Sequence, residues 1–423
     1  MSRPIIEDIV VVGDSLSDRG AMGARMLMGV IPMELLSGLS SKSPAHRFTN
    51  GLVWTDYFAS MFAEDSGFKQ LNLDDPTRVT TSTGETLVRT FCEGGATSHD
   101  YSTRMTMNIV QMGTQQILNT LDVLRGRLFA DDDSIGTTKN NKEKTLVVEW
   151  SGANDLLTIN SDPTIEAAED AILARVFNID QMITKSYRHF ALMALPDLSL
   201  VPRFQAKPIR EQNIIRKVVE GFNERLIEEV KKLELKHPEC TFLIHDTNPL
   251  FKGIFENPAQ YQLEEEKRTC SFVDSRDFID AASAPATGYM FWDDVHPTTR
   301  VHQVLAKDFY DVVKAKYLLH APRETLIQIY KEQYGARFEA DKSKCGGFFR
   351  RSKIAYQEAA LTVEGILRHA LIEGGDRTRD VLIKLGWIDK QNNLASKNSS
   401  ISEAFASVKR ELENLPVKRC GMC

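Results

Sequence analysis

The sequence predicts a three-layer α/β/α fold in which helices cover both faces of a mostly parallel sheet. Short apolar, β-branched runs recur along the first 250 residues and are typical of buried strands. Segments with apolar residues on one helical face lie between them. Because strands that alternate with helices form parallel sheets covered by their crossover helices, the pattern indicates a doubly wound domain.

Four runs are predicted to be strands of this sheet. They are Ile9–Gly13, Thr145–Ser151, His189–Leu195 and Thr241–His245. Each is short, rich in apolar residues and followed by a polar or glycine-containing segment, as expected of strands buried on both faces.

Three segments predict helices, and one predicts a loop. Thr164–Tyr187 follows an Asp-Pro start, and Glu211–Lys236 places its apolar residues on one face. A third helix begins near Pro297 and reaches about Leu319. The polar, aperiodic segment Asp131–Lys144 predicts an exposed loop.

The 423 residues exceed the roughly 100–200 of a typical domain, so we expect two domains. Residues 320–423 contain helical patterns and no convincing strand, and they hold 18 Lys/Arg against 13 Asp/Glu, compared with 34 against 45 before them. We therefore predict a first domain at 1–319 and a C-terminal helical module at 320–423. The basic balance of the module suits an acidic protein partner or an anionic membrane.

Composition excludes several classes of protein. Hydrophobic residues at 42% and charged residues at 26% are ordinary for a globular chain. Basic residues are interspersed with acidic ones and no aromatic-plus-basic motif appears, so no nucleic-acid partner is expected. The six cysteines are few and scattered, which favours a reducing compartment, and no Cys/His/carboxylate spacing predicts a metal.

Three segments of the sequence lead to expectations about the cellular location of the protein. Residues 1–4 have no apolar segment and Met26–Leu39 is too short to span a bilayer. We therefore expect a cytoplasmic protein, or one exported without a cleaved signal into a host cytosol, with peripheral membrane association. Cys420 stands fourth from the end after Lys418 and Arg419, as in a prenylation box, although Gly421 fits poorly. A frayed terminus or a Cys-x-x-Cys pair remains the alternative.

The segment Gly13–Asp18 directly follows the first predicted strand. Ser15 is thereby placed at the carboxyl edge of the sheet, where ligands of open α/β folds bind. A serine nucleophile needs an adjacent base that a carboxylate orients. The spacing of Asp293 and His296 lets both share one turn, so Asp293 is predicted to orient the imidazole that faces Ser15.

Donors for an oxyanion are predicted in two further segments. Asn154 directly follows the Thr145–Ser151 strand, on the same edge of the sheet as Ser15. Phe91–Ala96 contains Gly94, where a glycine backbone can approach a substrate and present its N–H. With the Ser15 N–H, this makes three predicted donors.

Several nearby residues have structural interpretations that we favour. Asp14 and Asp18 are expected to cap a helix and fix the turn, and Asp155 to cap a helix or brace a loop. Asp294 is expected to be a solvated neighbour of Asp293. Three histidines are assigned no role: His46, His99 and His302.

The apolar segment after the nucleophile has two interpretations. Its side chains, Met28 and Ile31 among them, could line a groove for an acyl chain, since flexible methionine adapts to irregular apolar ligands. Packing of a helix into the core is the alternative.

Ser15, Gly94, Asn154 and His296 occur in the order of the four blocks of the GDSL, or SGNH, hydrolase superfamily, which the chain resembles over about residues 7–315. The resemblance implies a flavodoxin-like three-layer fold, and the family's Trp-Asp-x-x-His spacing selects Asp293. Three motifs resemble its phospholipase and glycerophospholipid:cholesterol acyltransferase branch: Gly13-Asp-Ser-Leu-Ser-Asp18, Arg47-Phe-Thr-Asn-Gly-Leu-Val-Trp54 and Phe291-Trp-Asp-Asp-Val-His-Pro-Thr298. Two departures, Arg19 and Thr90-Phe-Cys92, bear on acceptor choice and oxyanion geometry.

The resemblance implies a lipolytic serine ester hydrolase of the phospholipase A or lysophospholipase type, with no cofactor. An acyl-serine intermediate would pass its acyl group to water or to an alcohol such as cholesterol. An esterase acting on acetylated sugars or thioesters is the alternative within the same chemistry. A binding or scaffold protein with a vestigial catalytic domain is the alternative outside it, and the four intact blocks argue against that. Attack on membrane lipids without a secretion signal suggests a secreted effector.

Overall fold

The computed structural model describes residues 4–27, 31–33, 43–66, 68, 70–81, 84, 86–102, 119–158, 163–280, 285–319, 389–391 and 393. Residues 1–63 and 70–319 form one compact unit. The predicted C-terminal module lies almost entirely outside the described residues and stays a prediction. Met28 and Cys420 lie outside them as well.

The strands follow one another as β1 (Ile5–Ile6), β2 (Asp8–Gly13), β3 (Met26–Leu27), β4 (Ile31–Pro32), β5 (Leu71–Asn72), β6 (Arg78–Thr81), β7 (Thr86–Cys92), β8 (Thr145–Trp150), β9 (His189–Met193), β10 (Thr241–His245) and β11 (Leu318–Leu319). The helices are α1 (Ala21–Ala24), α2 (Trp54–Asp65), α3 (Leu121–Ile135), α4 (Lys139–Lys142), α5 (Ala153–Leu157), α6 (Ile165–Thr184), α7 (Pro202–Gln205), α8 (Ile209–Lys236), α9 (Asn248–Glu256) and α10 (Thr299–Lys316).

The main sheet has the order β10-β9-β8-β2-β7-β6-β5. The strands from β10 to β7 are parallel, whereas β6 and β5 extend the sheet in antiparallel fashion. Numbered along the chain, the parallel strands have the flavodoxin-like order 2-1-3-4-5, which reverses direction between β2 and β8. The predicted fold class is confirmed.

Helices cover both faces of this sheet. On one face Val10, Val147 and Phe190 pack with side chains of α3, α6 and α8 in a single apolar core. On the other, the Trp150 ring contacts Trp54 of α2 at 6.1 Å between centroids, and Trp54 contacts Phe309 of α10 at 5.5 Å. Because both faces are buried, the central strands are largely apolar rather than alternating, and the buried Glu149 of β8 pairs with Arg175 at 2.5 Å.

The predicted strands and helices occur close to their predicted bounds. The Thr164 hydroxyl accepts from the Ala167 N–H at 3.1 Å and caps α6, as the Asp-Pro start suggested. The sequence did not predict β6 and β7, where Arg89 interrupts the apolar pattern of a strand.

The loop predicted at Asp131–Lys144 is wrong, although most of the segment is exposed as predicted. α3 runs on to Ile135 and α4 follows at Lys139–Lys142. Asp132 is only 1% exposed and accepts hydrogen bonds from Arg89 and Tyr187, each at 2.8 Å. Asp132 is therefore satisfied by buried partners rather than by water, whereas residues 133–136 and 138–141 are exposed. Within the described ranges, no helix is long and apolar enough to cross a membrane.

Candidate active site

The site lies where β2 and β8 end side by side at the reversal of strand order. A side chain at Gly13 would overlap the Trp150 carbonyl oxygen, so glycine allows the two strand ends to approach. The Asp14 N–H donates to that same oxygen at 3.3 Å. Ser15 follows immediately and is buried to 6% exposure.

The structure brings the three predicted catalytic side chains into one hydrogen-bonded series. Ser15 Oγ lies 2.8 Å from His296 Nε2, and His296 Nδ1 lies 2.7 Å from Asp293 Oδ2. Burial disfavours the charged imidazolium, but the Asp293 carboxylate outweighs that effect and raises the pKa of His296. Burial likewise opposes ionisation of Asp293, yet His296 and two backbone N–H groups hold the pKa of that carboxyl below its usual range.

A tight turn presents Asp293 and His296 to the nucleophile. The second Asp293 oxygen, Oδ1, accepts from the N–H groups of Val295 at 2.9 Å and His296 at 2.7 Å. The Trp292 N–H donates to the His296 carbonyl at 2.7 Å and closes the turn. The three-residue spacing thus places both side chains as the sequence predicted.

The Arg47–Trp54 segment makes hydrogen bonds both to Ser17, near the start of the domain, and to α10, near its end. The Asn50 side-chain oxygen accepts from the Thr299 N–H at 2.8 Å, at the start of α10 just after the turn. The Trp54 N–H donates to His302 Nδ1 at 3.3 Å, and Trp54 Nε1 donates to the Ser17 hydroxyl at 3.0 Å. Burial lowers the pKa of His302 to about 3, so this ring stays neutral and acts as an acceptor.

The predicted oxyanion donor Gly94 requires correction. Its N–H donates at 2.8 Å to Oδ2 of Asp18, a fully buried carboxylate. A donor held by a buried carboxylate is not directed at a substrate. The next residue, Gly95, has a left-handed φ of 76°, and within the described part of the chain its N–H donates to no other group.

Asn154 lines the same pocket as Ser15 and His296. Its amide nitrogen donates to the Ala96 carbonyl at 3.0 Å, and its oxygen accepts from the Thr158 hydroxyl at 2.8 Å. A side-chain amide has two N–H groups, so one remains for a ligand. The Ser15 N–H likewise donates to no group among the residues described.

The acidic neighbours of the nucleophile have the structural contacts expected of them. Asp18 also accepts from the N–H groups of Gly20 at 2.8 Å and Ala21 at 2.6 Å, at the start of α1. Asp14 accepts from the Leu16 N–H at 3.1 Å. Burial raises the pKa of Asp14 to about 7.

The structural role predicted for Asp155 is observed, whereas the one predicted for Asp294 is incomplete. Asp155 braces the loop after β7 by accepting from Ser98 N–H at 2.8 Å and Tyr101 Oη at 3.1 Å. Asp294 is not simply solvated. Arg203 donates to both of its oxygens, at 2.7 and 3.2 Å, which keeps this carboxylate apart from the imidazole.

The two departures from the family pattern have structural roles. Arg19 is buried and donates to Asp56 at 2.6 Å and to the carbonyls of Leu73 and Arg78, each at 3.0 Å. The Thr90 hydroxyl donates to the Pro76 carbonyl at 2.8 Å. Both therefore tie the antiparallel edge of the sheet to its neighbours.

Ser15 and His296 open into a pocket with largely apolar walls. These walls are formed by Leu16, Trp150, Leu157, Pro196, Leu198, Val201, Phe251, Val295, Pro297 and Leu305. Among its described lining residues there is no lysine or arginine, and Ile31 is not one of them. Ile31 is 41% exposed on the β3–β4 hairpin, and that hairpin replaces a continuous helix after α1. Sequence reasoning missed these walls because they come from strands, helices and loops that are far apart in the chain.

Comparisons with known proteins identify a family for this chain. The family model described as GDSL-like lipase/acylhydrolase matches residues 9–309. The phosphatidylcholine-sterol acyltransferase of Aeromonas hydrophila is 25% identical over 355 residues, covering 75% of this chain and 92% of that protein.

A secreted effector and a solved phospholipase structure are also similar to this chain. The secreted effector protein SseJ of Salmonella typhimurium is 25% identical over 305 residues, covering 71% of this chain, which spans only 62% of the effector's length. Among solved structures, phospholipase A1 from Streptomyces albidoflavus NA297 superposes with a TM-score of 0.32 at 13% identity, covering 74% of this chain and 99% of that one.

Proposed function

Since the chain belongs to the GDSL-like lipase/acylhydrolase family, we propose that it is a serine hydrolase that releases or transfers the acyl group of a lipid ester. The observation that carries this proposal is the continuous series from Ser15 Oγ through His296 to Asp293, at 2.8 and 2.7 Å. Those distances lie within the range that general-base activation of a nucleophile requires.

Acyl transfer proceeds in two halves. His296 Nε2 takes the Ser15 proton as Oγ bonds to the ester carbonyl carbon, and the imidazolium then protonates the departing alcohol when its C–O bond breaks. Water or an acceptor alcohol next attacks the acyl-serine, gives its proton to His296 and takes the acyl group. Ser15 Oγ leaves and recovers its proton. Asp293 keeps Nδ1 protonated and stabilises the imidazolium in both halves.

The oxyanion is held by the N–H groups of Ser15 and Asn154, with the Gly95 N–H in place of Gly94. The free N–H groups of Ser15 and Gly95 support this choice within the described residues. Preorganised donors of this kind contribute about 10²–10³-fold each to kcat.

The acyl chain enters the apolar pocket beside Ser15, while a groove at Met28 and Ile31 stays a prediction because Met28 lies outside the described residues. The support is the chemistry of its walls, which offer apolar side chains and, among the lining residues described, no cation for a phosphate. We therefore propose phospholipase A or lysophospholipase activity in which the phosphate-bearing alcohol stays outside the pocket.

The acceptor and the cellular setting are further parts of the proposal. The name of the Aeromonas relative, a phosphatidylcholine-sterol acyltransferase, supports transfer to a sterol, and the name of SseJ supports a secreted effector. We propose cholesterol as the sterol and a host cytosol as the setting. Residues 1–319 then act as the catalytic domain, and residues 320–423 bind a protein or an anionic membrane, with prenylation of Cys420 as an added anchor. Esterase action on acetylated sugars or thioesters is the alternative.

A lipid panel tests the proposal. Phosphatidylcholine vesicles with and without cholesterol, each with and without eukaryotic cytosol, are incubated with wild type and Ser15→Ala. We expect fatty acid and cholesteryl ester from the wild type alone. Equal product from Ser15→Ala would overturn the serine mechanism. Hydrolysis of acetyl esters without any of long-chain esters would favour the alternative.

A further inference from the structure

The aromatic ring of Phe48 lies between His296 and Gly94. Its centroid is 5.0 Å from that of the imidazole, with an angle of 37° between the ring planes. A Cβ at position 94 would overlap Cε2 and Cζ of the same ring. The ring therefore contacts the candidate general base on one side and fills the space of a missing side chain on the other.

We infer that Phe48 is a positioning residue for His296, and that position 94 is glycine in order to admit its ring. This inference rests on the proposed serine chemistry. It assigns Gly94 a steric role in place of the donor role that the sequence suggested, because the Gly94 N–H is already held by Asp18 at 2.8 Å.

The two hydrogen bonds of the His296 imidazole still allow its ring plane to tilt. Asp293 and Ser15 hold its two nitrogens, which fixes the tautomer and the direction of the ring. The Phe48 contact restrains tilting out of that line and covers part of the imidazole against water. The electron-rich aromatic face also attracts the imidazolium that forms during acyl transfer.

The segment around Phe48 is anchored on both sides, so the ring position is well defined. Arg47 pairs with the buried Asp56 at 3.4 Å. Asn50 accepts from the Thr299 N–H at 2.8 Å, next to the turn that carries His296. Motion of the ring would therefore require motion of neighbours that are themselves tied down.

A double-mutant cycle tests the inference with Phe48→Ala, Gly94→Ala and the double variant. For each we measure kcat and KM on an activated ester and the rate at which a fluorophosphonate modifies Ser15. Phe48→Ala and Gly94→Ala should each lower kcat and the modification rate by about 10- to 100-fold, with KM changing by less than about 3-fold. In the Phe48→Ala background, Gly94→Ala should add less than about 2-fold, because the ring it displaces is gone.

Phe255→Ala is the matched control, since Phe255 is a half-buried phenylalanine on α9 that packs under Arg268 rather than against His296. It should change neither rate. Thermal melts accompany every variant, and Phe48→Leu replaces Phe48→Ala if the latter does not fold.

Three results would overturn the inference. Unchanged Ser15 modification in Phe48→Ala or Phe48→Leu would remove the positioning role while leaving the serine mechanism intact. Full additivity of the two changes would return Gly94 to a role independent of Phe48. No modification of Ser15 in the wild type would remove the proposed function, and this inference with it.

Discussion

The substitution Asp293→Asn provides a sharp test of the catalytic geometry. In the native turn, Oδ1 accepts two backbone N–H groups and Oδ2 faces His296 Nδ1. The asparagine oxygen would take the position facing the backbone donors, so its NH2 group would face Nδ1. An imidazole that accepts at Nδ1 carries its proton on Nε2 and cannot deprotonate Ser15.

The wrong tautomer sets the size of the expected loss in kcat. The equivalent change in a serine-histidine-aspartate triad lowers kcat about 10⁴-fold, or about 5 kcal/mol of transition-state stabilisation. Because the Asp293 carboxylate is what raises the pKa of His296, the acidic limb of the pH–rate profile should also move to lower pH.

The assay is steady-state hydrolysis of an activated ester over a range of pH, with Asp294→Asn as the matched control. Asp294 is the adjacent carboxylate, but it pairs with Arg203 at 2.7 Å. Its substitution should lower kcat by less than about 10-fold, in keeping with a partly exposed ion pair. A larger loss in Asp294→Asn than in Asp293→Asn would refute the assignment of the orienting carboxylate.

Three further outcomes are expected. Asn154→Ala should lower kcat by about 10²–10³-fold with little change in KM, because it removes a donor that acts on the transition state; an effect on KM alone would argue against an oxyanion role. Burial raises the pKa of Asp14 from its usual value of 3.8 to about 7, so wild-type stability falls as pH rises between those values. The gain in Tm on Asp14→Asn should therefore grow from about pH 4 to about pH 7 and level off above it. A gain that is constant with pH would contradict this. Phe251→Ala should raise the ratio of kcat/KM for long over short acyl esters by about 10-fold, because the truncated wall leaves room for a few more methylene groups of the acyl chain. Phe255→Ala, whose ring packs under Arg268 and does not line this pocket, should leave the ratio unchanged.

Predictions that depended on short stretches of sequence agree well with the structure. Asp293 and His296 stand three residues apart, and one turn with its own backbone hydrogen bonds is enough to orient them. Ser15 and Asn154 each follow a strand directly. Since the carboxyl ends of parallel neighbours meet at one edge, strand alternation alone places the two side chains together.

Predictions that depended on contacts between residues far apart in the sequence were less accurate. Gly94 looked like a substrate-facing donor because the sequence cannot show that Asp18, 76 residues earlier, accepts its N–H. Asp132 looked solvated because the sequence cannot show its partner Arg89, which lies on a strand 43 residues earlier.

The sequence by itself determined the arrangement on which the proposed chemistry rests: a serine after the first strand of a doubly wound sheet and a carboxylate–histidine pair within one turn. Only the tertiary structure decided what surrounds that chemistry. The pocket walls at Leu157, Leu198 and Phe251 and the ring of Phe48 against His296 come from separate segments of the chain, including helices α5 and α9. The physical reason is that local spacing sets hydrogen bonds within a turn, whereas packing contacts depend on how distant segments meet around the sheet.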